Sequence, residues 1–214
     1  VEKILGSDDQ SALDTRLAQS TLMFFDIRGS SRRAEENNET LLGLVADMRE
    51  AMTALTQIVL DERGVVLQYM GDGLLSCWNV PFEDPDHVDR ACRAALRMST
   101  ALLGTTGWRC GVGIHTGEVV AGALGSKQVF SYGVLGSVVN LASRLEGISK
   151  ILETPIVFTK EVTDKLSPAI AVPMSVGWFK PAGMTAPVEL FIPLPPSGDA
   201  PRAKLFAEGL ALLK

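Results

Sequence analysis

The chain has 214 residues and a mass of 22.9 kDa, of which 46% are hydrophobic and 21% charged. A chain of this length suits one large domain, and it buries enough surface to fold without disulfides or a structural metal. The formal net charge is -5 and no long basic run is present. A nucleic-acid surface is therefore disfavoured as the main function.

Cysteine usage and hydropathy predict where in the cell the protein is located. The three cysteines, Cys77, Cys92 and Cys110, are an odd number without metal-ligand spacing, which predicts reduced thiols. No apolar stretch reaches the ~18 residues of a membrane helix, and the first residues lack the basic and apolar pattern of a signal peptide. We expect a cytoplasmic protein that binds neither membrane nor nucleic acid.

Apolar periodicity along the first half of the chain predicts a strand, a helix, a hairpin and a second helix. Short continuous apolar runs indicate buried strands, and apolar residues repeated every three or four positions indicate helices with one buried face. An Asp-Gly pair between two apolar runs is typical of a hairpin. The predicted elements are a strand over residues 20–27, a helix over 39–63, strands Val65–Met70 and Leu74–Trp78, and a helix over 86–103.

The second half is predicted to complete the sheet and to add a third helix. The predicted elements are strands over residues 108–116 and 117–122, a loop around Ser126, a helix over 137–152, a strand over 156–159, a helical turn over 161–166 and two closing strands that end near Ile192. The order strand, helix, strand, strand, helix, strand is that of the ferredoxin-like fold. We therefore predict an α/β (α+β) protein whose antiparallel sheet carries helices on one face.

Composition divides the chain into four predicted segments. Residues 1–19 form an N-terminal extension and residues 20–192 the main domain. Proline and glycine indicate a linker over residues 193–202. Residues 203–214 are amphipathic and predict a last helix that docks on the domain or on a neighbour.

Two aspartates are predicted to lie close together. Asp26 ends the first strand, and Asp72 lies in the hairpin between the second and third strands. The first and third strands are central neighbours in the ferredoxin-like order, so both carboxylates approach one end of the sheet. Paired oxygen ligands suit Mg²⁺ or Mn²⁺, with phosphate completing the coordination shell. Taken singly, each aspartate also fits an ordinary turn or helix cap.

Two further patterns point to a phosphate ligand. The segment between the first strand and the first helix contains glycine and serine and offers free backbone N–H groups to a phosphate; its residues are Arg28, Gly29, Ser30 and Ser31. On the third helix, Asn140 and Arg144 are four residues apart and share a face. That pair alone fits a solvated helix face equally well.

The chain contains four motifs, Phe24–Ser30, Met70–Leu75, Gly111–Gly122 and Gly136–Leu145. In order and spacing, these motifs resemble those of class III nucleotidyl cyclases. The resemblance extends from about Ser20 to Ile192, and Pro187–Phe191 matches the closing strand of the family. It implies the class III cyclase fold, which agrees with the fold predicted from periodicity.

The resemblance implies a homodimer whose two active sites lie in the interface. The reaction would be attack of the ribose 3′-oxygen of a nucleoside triphosphate on the α-phosphorus, giving a 3′,5′-cyclic nucleotide and pyrophosphate. Residues implied to hold two divalent metal ions, Mg²⁺ or Mn²⁺, are Asp26, Ile27 and Asp72. Residues implied to contact the substrate phosphates are Arg28, Gly29, Ser30, Ser31 and Lys180. In the partner, Asn140 would orient the ribose and Arg144 would stabilise charge on the phosphate.

The chain departs from the family at the positions that recognise the base. The positions that carry Lys with Asp or Thr in adenylate cyclases, and Glu with Cys or a small residue in guanylate cyclases, are Gln68 and Gly133 here. A glutamine amide both donates and accepts, whereas glycine contributes no side chain. The position of a triphosphate-contacting lysine is Ala182, and Lys180 is a possible substitute.

Three functional hypotheses follow from these departures. The favoured one is a pyrimidine cyclase acting on UTP or CTP, similar to the Pycsar type of bacterial anti-phage defence, since no sensor or membrane segment accompanies the domain. The second is a guanylate or adenylate cyclase with atypical base recognition. The third, of another class, is a catalytically dead dimeric module with a regulatory role.

Overall fold

An eight-stranded sheet with helices on both faces forms the protein, which is described by a computed structural model over residues 14–30, 41–126, 128 and 130–195. The elements, in chain order, are β1 Arg16–Ile27, α1 Leu41–Asp61, β2 Val65–Met70, β3 Gly73–Trp78, α2 His87–Thr106, β4 Cys110–Gly125, β5 Phe130–Leu135, α3 Ser137–Ile151, β6 Ile156–Thr159, α4 Lys160–Thr163, β7 Val172–Phe179 and β8 Val188–Leu194.

The predicted ferredoxin-like core is confirmed. Strands follow the order β2-β3-β1-β4-β6-β8-β7, and β5 pairs with β4. The first four strands pair antiparallel, with β1 between β3 and β4. Strand β6 then joins β4 in parallel, and β8 and β7 continue antiparallel. The mixed sheet is therefore the predicted four-stranded core extended by strands from the second half of the chain.

The two helices of the predicted core, α1 and α2, share one face of the sheet as predicted, but α3 covers the opposite face, so the helices are not confined to one face. Helices α1 and α2 pack against Met23 and Phe25 of β1, whereas α3 packs with Leu22 on the opposite face. The middle of β1 is a continuous buried run instead of an alternation. A strand that is apolar on both faces must be covered on both faces.

Two strand boundaries also differ from prediction. The expected strands over 108–116 and 117–122 form one long strand, β4, and β5 was missed. Glycines at Gly111, Gly113 and Gly117 interrupt the apolar pattern of β4 without interrupting its hydrogen bonding. Strand β5 mixes polar residues and glycine; it pairs with β4, and Tyr132 and Val134 pack into the cluster that contains Val119 and Ala121.

The ends of the predicted domain lie close to the observed ones. Strand β1 begins at Arg16, so residues 16–19 of the predicted extension belong to the sheet, and β8 continues to Leu194. Most of the predicted linker and the final helix lie outside the described residues.

The three cysteines are buried and unpaired. Among the described helices, none is both long enough and apolar enough to cross a membrane.

Helix α3 lies on the glycines of β4. A Cβ atom at Gly113 would lie 2.3 Å from the carbonyl oxygen of Ala142 and 2.3 Å from the backbone nitrogen of Glu146. Backbone atoms of a packed helix cannot withdraw from such a clash without moving the helix. Gly113 therefore fixes how closely α3 approaches the sheet, beside the strand position that pairs Gly111 with Asp26.

We predict that Gly113→Ala destabilises the protein by at least about 1–3 kcal/mol, the usual cost of overpacking. The free energy of unfolding, measured in denaturant, checks this. Gly104→Ala is the matched control, because Gly104 lies in α2 and an added Cβ meets nothing within 4 Å. The control should be neutral or stabilising by up to ~1 kcal/mol. Equal losses in both variants would contradict the packing argument.

Candidate active site

The carboxylates of Asp26 and Asp72 meet at one end of the sheet. Asp26 pairs with Gly73 in the β1–β3 register, which places it next to the β2–β3 turn that carries Asp72. The Ile27 N–H donates to the Asp72 carbonyl oxygen (3.2 Å), and the Ser30 hydroxyl donates to the Asp72 carboxylate. The convergence predicted from strand order is therefore present within one protomer.

The environment of Asp26 penalises its negative charge. Burial, then the charges of Asp72 and Glu146, raise the pKa of Asp26 to about 6, and a hydrogen bond with the Asp72 carboxyl acts in the same direction. The Lys150 ammonium opposes these effects and lowers the pKa of Asp26. Two carboxylates that repel each other at neutral pH are an arrangement that a divalent cation relieves.

Glu146 and Lys150 are neighbours of this site that the sequence analysis missed. Burial raises the pKa of Glu146, the charges of Arg28 and Lys150 lower it, and Asp72 raises it. The two residues are four positions apart on α3. In sequence, that spacing is typical of an ion pair on an exposed helix face. Only the contact of α3 with the sheet brings the pair to the aspartates.

The residues present fit a divalent cation. Asp26 and Asp72 supply carboxylate oxygens, the ligands that Mg²⁺ and Mn²⁺ prefer. The Ile27 side chain is buried in the core and its N–H is used, so its carbonyl oxygen, which lies 3.4 Å from the Ser30 hydroxyl and keeps a second lone pair, is the group that could act as a ligand. Within the described part of the chain, no three His, Cys, Asp or Glu side chains form a metal-binding cluster. Substrate phosphates and water would complete the shell.

The phosphate-binding prediction for Arg28 is wrong in one respect. Its backbone N–H is not free, because it donates to the Arg109 carbonyl oxygen (2.9 Å). The guanidinium is also engaged, since Nη2 donates to the Ser149 hydroxyl (2.9 Å) and to the Thr154 carbonyl oxygen (2.7 Å). Arg28 therefore ties the end of β1 to the end of α3.

The other residues predicted to contact phosphate lie in different environments. Gly29 is exposed in the turn after β1, and Ser30 is buried with its hydroxyl on Asp72. Ser31 lies outside the described residues. Lys180 is exposed directly after β7, at the start of the turn that leads to β8.

Asn140 and Arg144 occupy a different side of α3 from Glu146. Asn140 is exposed and Arg144 is half-buried. The Arg144 guanidinium lies against the β7–β8 turn, where a Cβ at Gly183 would be 3.1 Å from Nη2. Two residues along a helix correspond to a rotation of about 200°. Glu146 acts on Asp26 of its own protomer, and Arg144 therefore faces away from that carboxylate.

The two base-recognition positions are far apart within one protomer. Gln68 is exposed on β2 and pairs with Leu75, near the aspartate end of the sheet. Gly133 lies on β5 opposite Gly122 of β4, whereas Asp26 lies opposite Gly111. The stretch of β4 from Gly111 to Gly122 corresponds to about 35 Å of strand.

An antiparallel core of this topology, with two carboxylates at the end of its central strands, is the arrangement expected of a class III nucleotidyl cyclase domain. The family model described as "Adenylate and Guanylate cyclase catalytic domain" matches residues 14–175. The chain belongs to that family.

Named relatives agree with this assignment. The chain is 33% identical over 145 residues to adenylate cyclase 1 of Rhizobium meliloti (64% of this chain, 22% of the relative) and 29% identical over 160 residues to an adenylate cyclase of Anabaena cylindrica (69% and 30%). The chain thus spans between a fifth and a third of the length of these curated relatives.

Solved structures share the fold. The adenylyl cyclase CyaB from P. aeruginosa has a TM-score of 0.77 at 22% identity, covering 85% of this chain and 96% of that chain. The guanylyl cyclase Cya2 has a TM-score of 0.70 at 26% identity, covering 83% and 92%. These relatives and structures are named as adenylate or guanylate cyclases, so they lend no support to the predicted pyrimidine substrate or anti-phage role.

The charge repulsion at Asp26 yields a prediction about stability. The folded-state pKa of Asp26 is raised, so ionisation of Asp26 destabilises the fold as pH rises above about 4. Without metal at neutral pH, Asp26→Asn should therefore stabilise the protein by about 1 kcal/mol, a figure reduced for solvent screening of this half-exposed group. Thermal melts in a chelator measure the gain, which should vanish below pH ~4.

Manganese provides the second half of that test. Mn²⁺ should raise the Tm of the wild type and leave Asp26→Asn unchanged, because the variant lacks one of two carboxylate ligands. Asp47→Asn is the control, since Asp47 is exposed on α1. It should respond to Mn²⁺ as the wild type does. A gain in Tm of Asp26→Asn with Mn²⁺ equal to that of the wild type would refute the metal assignment.

Proposed function

We propose that this domain converts a purine nucleoside triphosphate, with ATP preferred, to its 3′,5′-cyclic monophosphate and pyrophosphate. The observation that carries the proposal is the meeting of the Asp26 and Asp72 carboxylates at the end of the central strands, in a chain of the cyclase family. Paired acidic oxygens at the end of a sheet, beside an exposed turn, suit a metal-bound triphosphate.

Asp26 and Asp72, with the carbonyl oxygen of Ile27, would hold two divalent ions. Metal ions in such a site lower the pKa of an attacking hydroxyl and neutralise charge on the phosphates. The protein's own part is to keep both carboxylates in place before substrate arrives. The Ile27 N–H and the Ser30 hydroxyl do this by bonding to the backbone oxygen and the carboxylate of Asp72.

A homodimer completes the site in this proposal. Asn140 and Arg144 lie on the side of α3 that faces away from Asp26 of the same protomer, so they would act on a nucleotide held by the partner's carboxylates. Asn140 would orient the ribose. Arg144 would stabilise the charge that develops on the phosphate, a role suited to a permanent cation with a planar fork.

The base would also be recognised by two protomers. Gln68 and Gly133 are separated by most of the length of β4 within one chain, so they approach one base only across an interface. The carboxamide of Gln68 accepts from the adenine N6 amino group and donates to N1, which satisfies both with one side chain. With its carboxamide rotated by 180°, Gln68 would donate to guanine O6 and accept from guanine N1–H, so the same side chain also matches guanine. The adenylate cyclase relatives favour adenine.

The substrate is tested by competition among ATP, GTP, CTP and UTP with Mn²⁺, with cyclic products identified by mass. We expect the purine products to dominate and ATP to be used best. A dominant pyrimidine product would overturn the purine proposal and restore the pyrimidine hypothesis. Absence of every cyclic product from a folded dimer would favour the catalytically dead module.

Removal of either metal carboxylate should abolish the reaction. Asp26→Ala or Asp72→Ala is expected to reduce product formation to below a few per cent of wild type without unfolding the protein, because neither carboxylate can substitute for both. Circular dichroism serves as the folding control. Substantial activity in either variant would contradict the two-metal site.

Mixing inactive variants tests whether the site is shared. Asp72→Ala supplies an intact Arg144, and Arg144→Ala supplies an intact Asp72, so a mixed dimer has one complete site. Random pairing should restore up to about a quarter of wild-type activity. Mixed dimers that form but remain inactive would place the site within one chain.

A further inference from the structure

The turn between β7 and β8 is fixed against α3. Its residue Pro181 is buried, and the Met184 N–H donates to the Pro181 carbonyl oxygen (3.1 Å). The Met184 side chain packs on the cluster that contains Leu141 and Leu145 of α3. The turn is thus held by a hydrogen bond within it and by apolar contact with the helix that carries Arg144.

Gly183 lies in this turn, directly under the Arg144 guanidinium. A Cβ at Gly183 would be 3.1 Å from Nη2, 3.4 Å from Nη1 and 3.6 Å from Cζ of Arg144. Three atoms of the planar group are therefore close to one point of the turn. The turn is anchored and the arginine is a flexible side chain, so an added methyl group would displace the guanidinium more readily than the turn.

We propose that Gly183 is a positioning residue, whose missing side chain lets the β7–β8 turn support the Arg144 guanidinium in its working orientation. The inference rests on the proposed function, in which Arg144 stabilises charge on the reacting phosphate. Gly183 itself contacts no substrate in this proposal. It acts through Arg144, which is anchored on α3 at one end and supported by the turn at the other.

The conformation of Gly183 does not by itself explain the glycine. Its φ of +74° favours glycine, but Gly107, with a φ of +66° at the end of α2, has the same preference. A Cβ at Gly107 meets nothing within 4 Å. The two positions share the backbone requirement, and they differ in the contact with Arg144.

Gly107→Ala is therefore the matched control for Gly183→Ala. Both variants carry the strain of alanine at positive φ, whereas Gly183→Ala alone adds a methyl group beneath Arg144. We expect Gly183→Ala to lower kcat at least tenfold and to change KM for the nucleotide less than twofold, the pattern of a lost transition-state interaction. Gly107→Ala should leave both within twofold of wild type.

Gly183→Asn separates strain from contact. Asparagine tolerates the left-handed region better than alanine does, yet it still brings a Cβ to the guanidinium. The proposal expects kcat of Gly183→Asn to remain at least tenfold low. Recovery of wild-type kcat by asparagine would attribute the alanine effect to strain and overturn the proposal.

A crystal structure of Gly183→Ala provides a readout that does not depend on activity. The Arg144 guanidinium should be displaced relative to the wild type while the α3 backbone stays in place. A guanidinium in its original position would overturn the inference. If the wild type cyclises no nucleotide, the proposed function fails, but this structural comparison still decides whether Gly183 positions Arg144.

Discussion

The close contact between α3 and the glycines of β4 is the constraint on which the site depends. Gly113 leaves no room for even a Cβ beneath the helix backbone, so the depth of α3 on the sheet is set by sterics. That depth brings Glu146 to the aspartates on one side of the helix and leaves Arg144 on another. One packing contact thus determines that Glu146 and Lys150 act on Asp26, and that Arg144 lies on another side of the helix, where the proposed function directs it to a second nucleotide.

The electrostatics of the site follow from this placement. Asp26 is partly buried beside two other acids, and the Lys150 ammonium only partly offsets their repulsion. The fold holds these charges together by hydrogen bonds to Asp72 and by the Arg28 side chain, which joins the end of β1 to Ser149 of α3. Repulsion between acids that the fold holds together favours the binding of a cation. When no cation is bound, the same repulsion destabilises the protein.

The order of elements in the core and the convergence of Asp26 and Asp72 could be predicted, because periodicity and strand order are local or topological properties. The face on which α3 packs could not, since both faces of β1 are apolar and either could receive a helix. The use of the Arg28 N–H by Arg109 was equally hidden, because the partners are distant in sequence. Lys180, Gln68 and Gly133 remain predictions as substrate contacts, because their partners would lie on the nucleotide or the second protomer.

In the proposed function, helix α3 is the reason that the site needs two protomers. The side of α3 that carries Glu146 faces the carboxylates of its own protomer. The side that carries Arg144 lies against the turn that contains Gly183. The same rigid helix would then contribute to two active sites of a dimer, one from each face. A shift of α3 would therefore change the surroundings of the carboxylates in one site and the orientation of Arg144 in the other. Because both faces move with the helix, the packing of α3 on β4 would couple the geometry of the two sites without requiring any further contact between them.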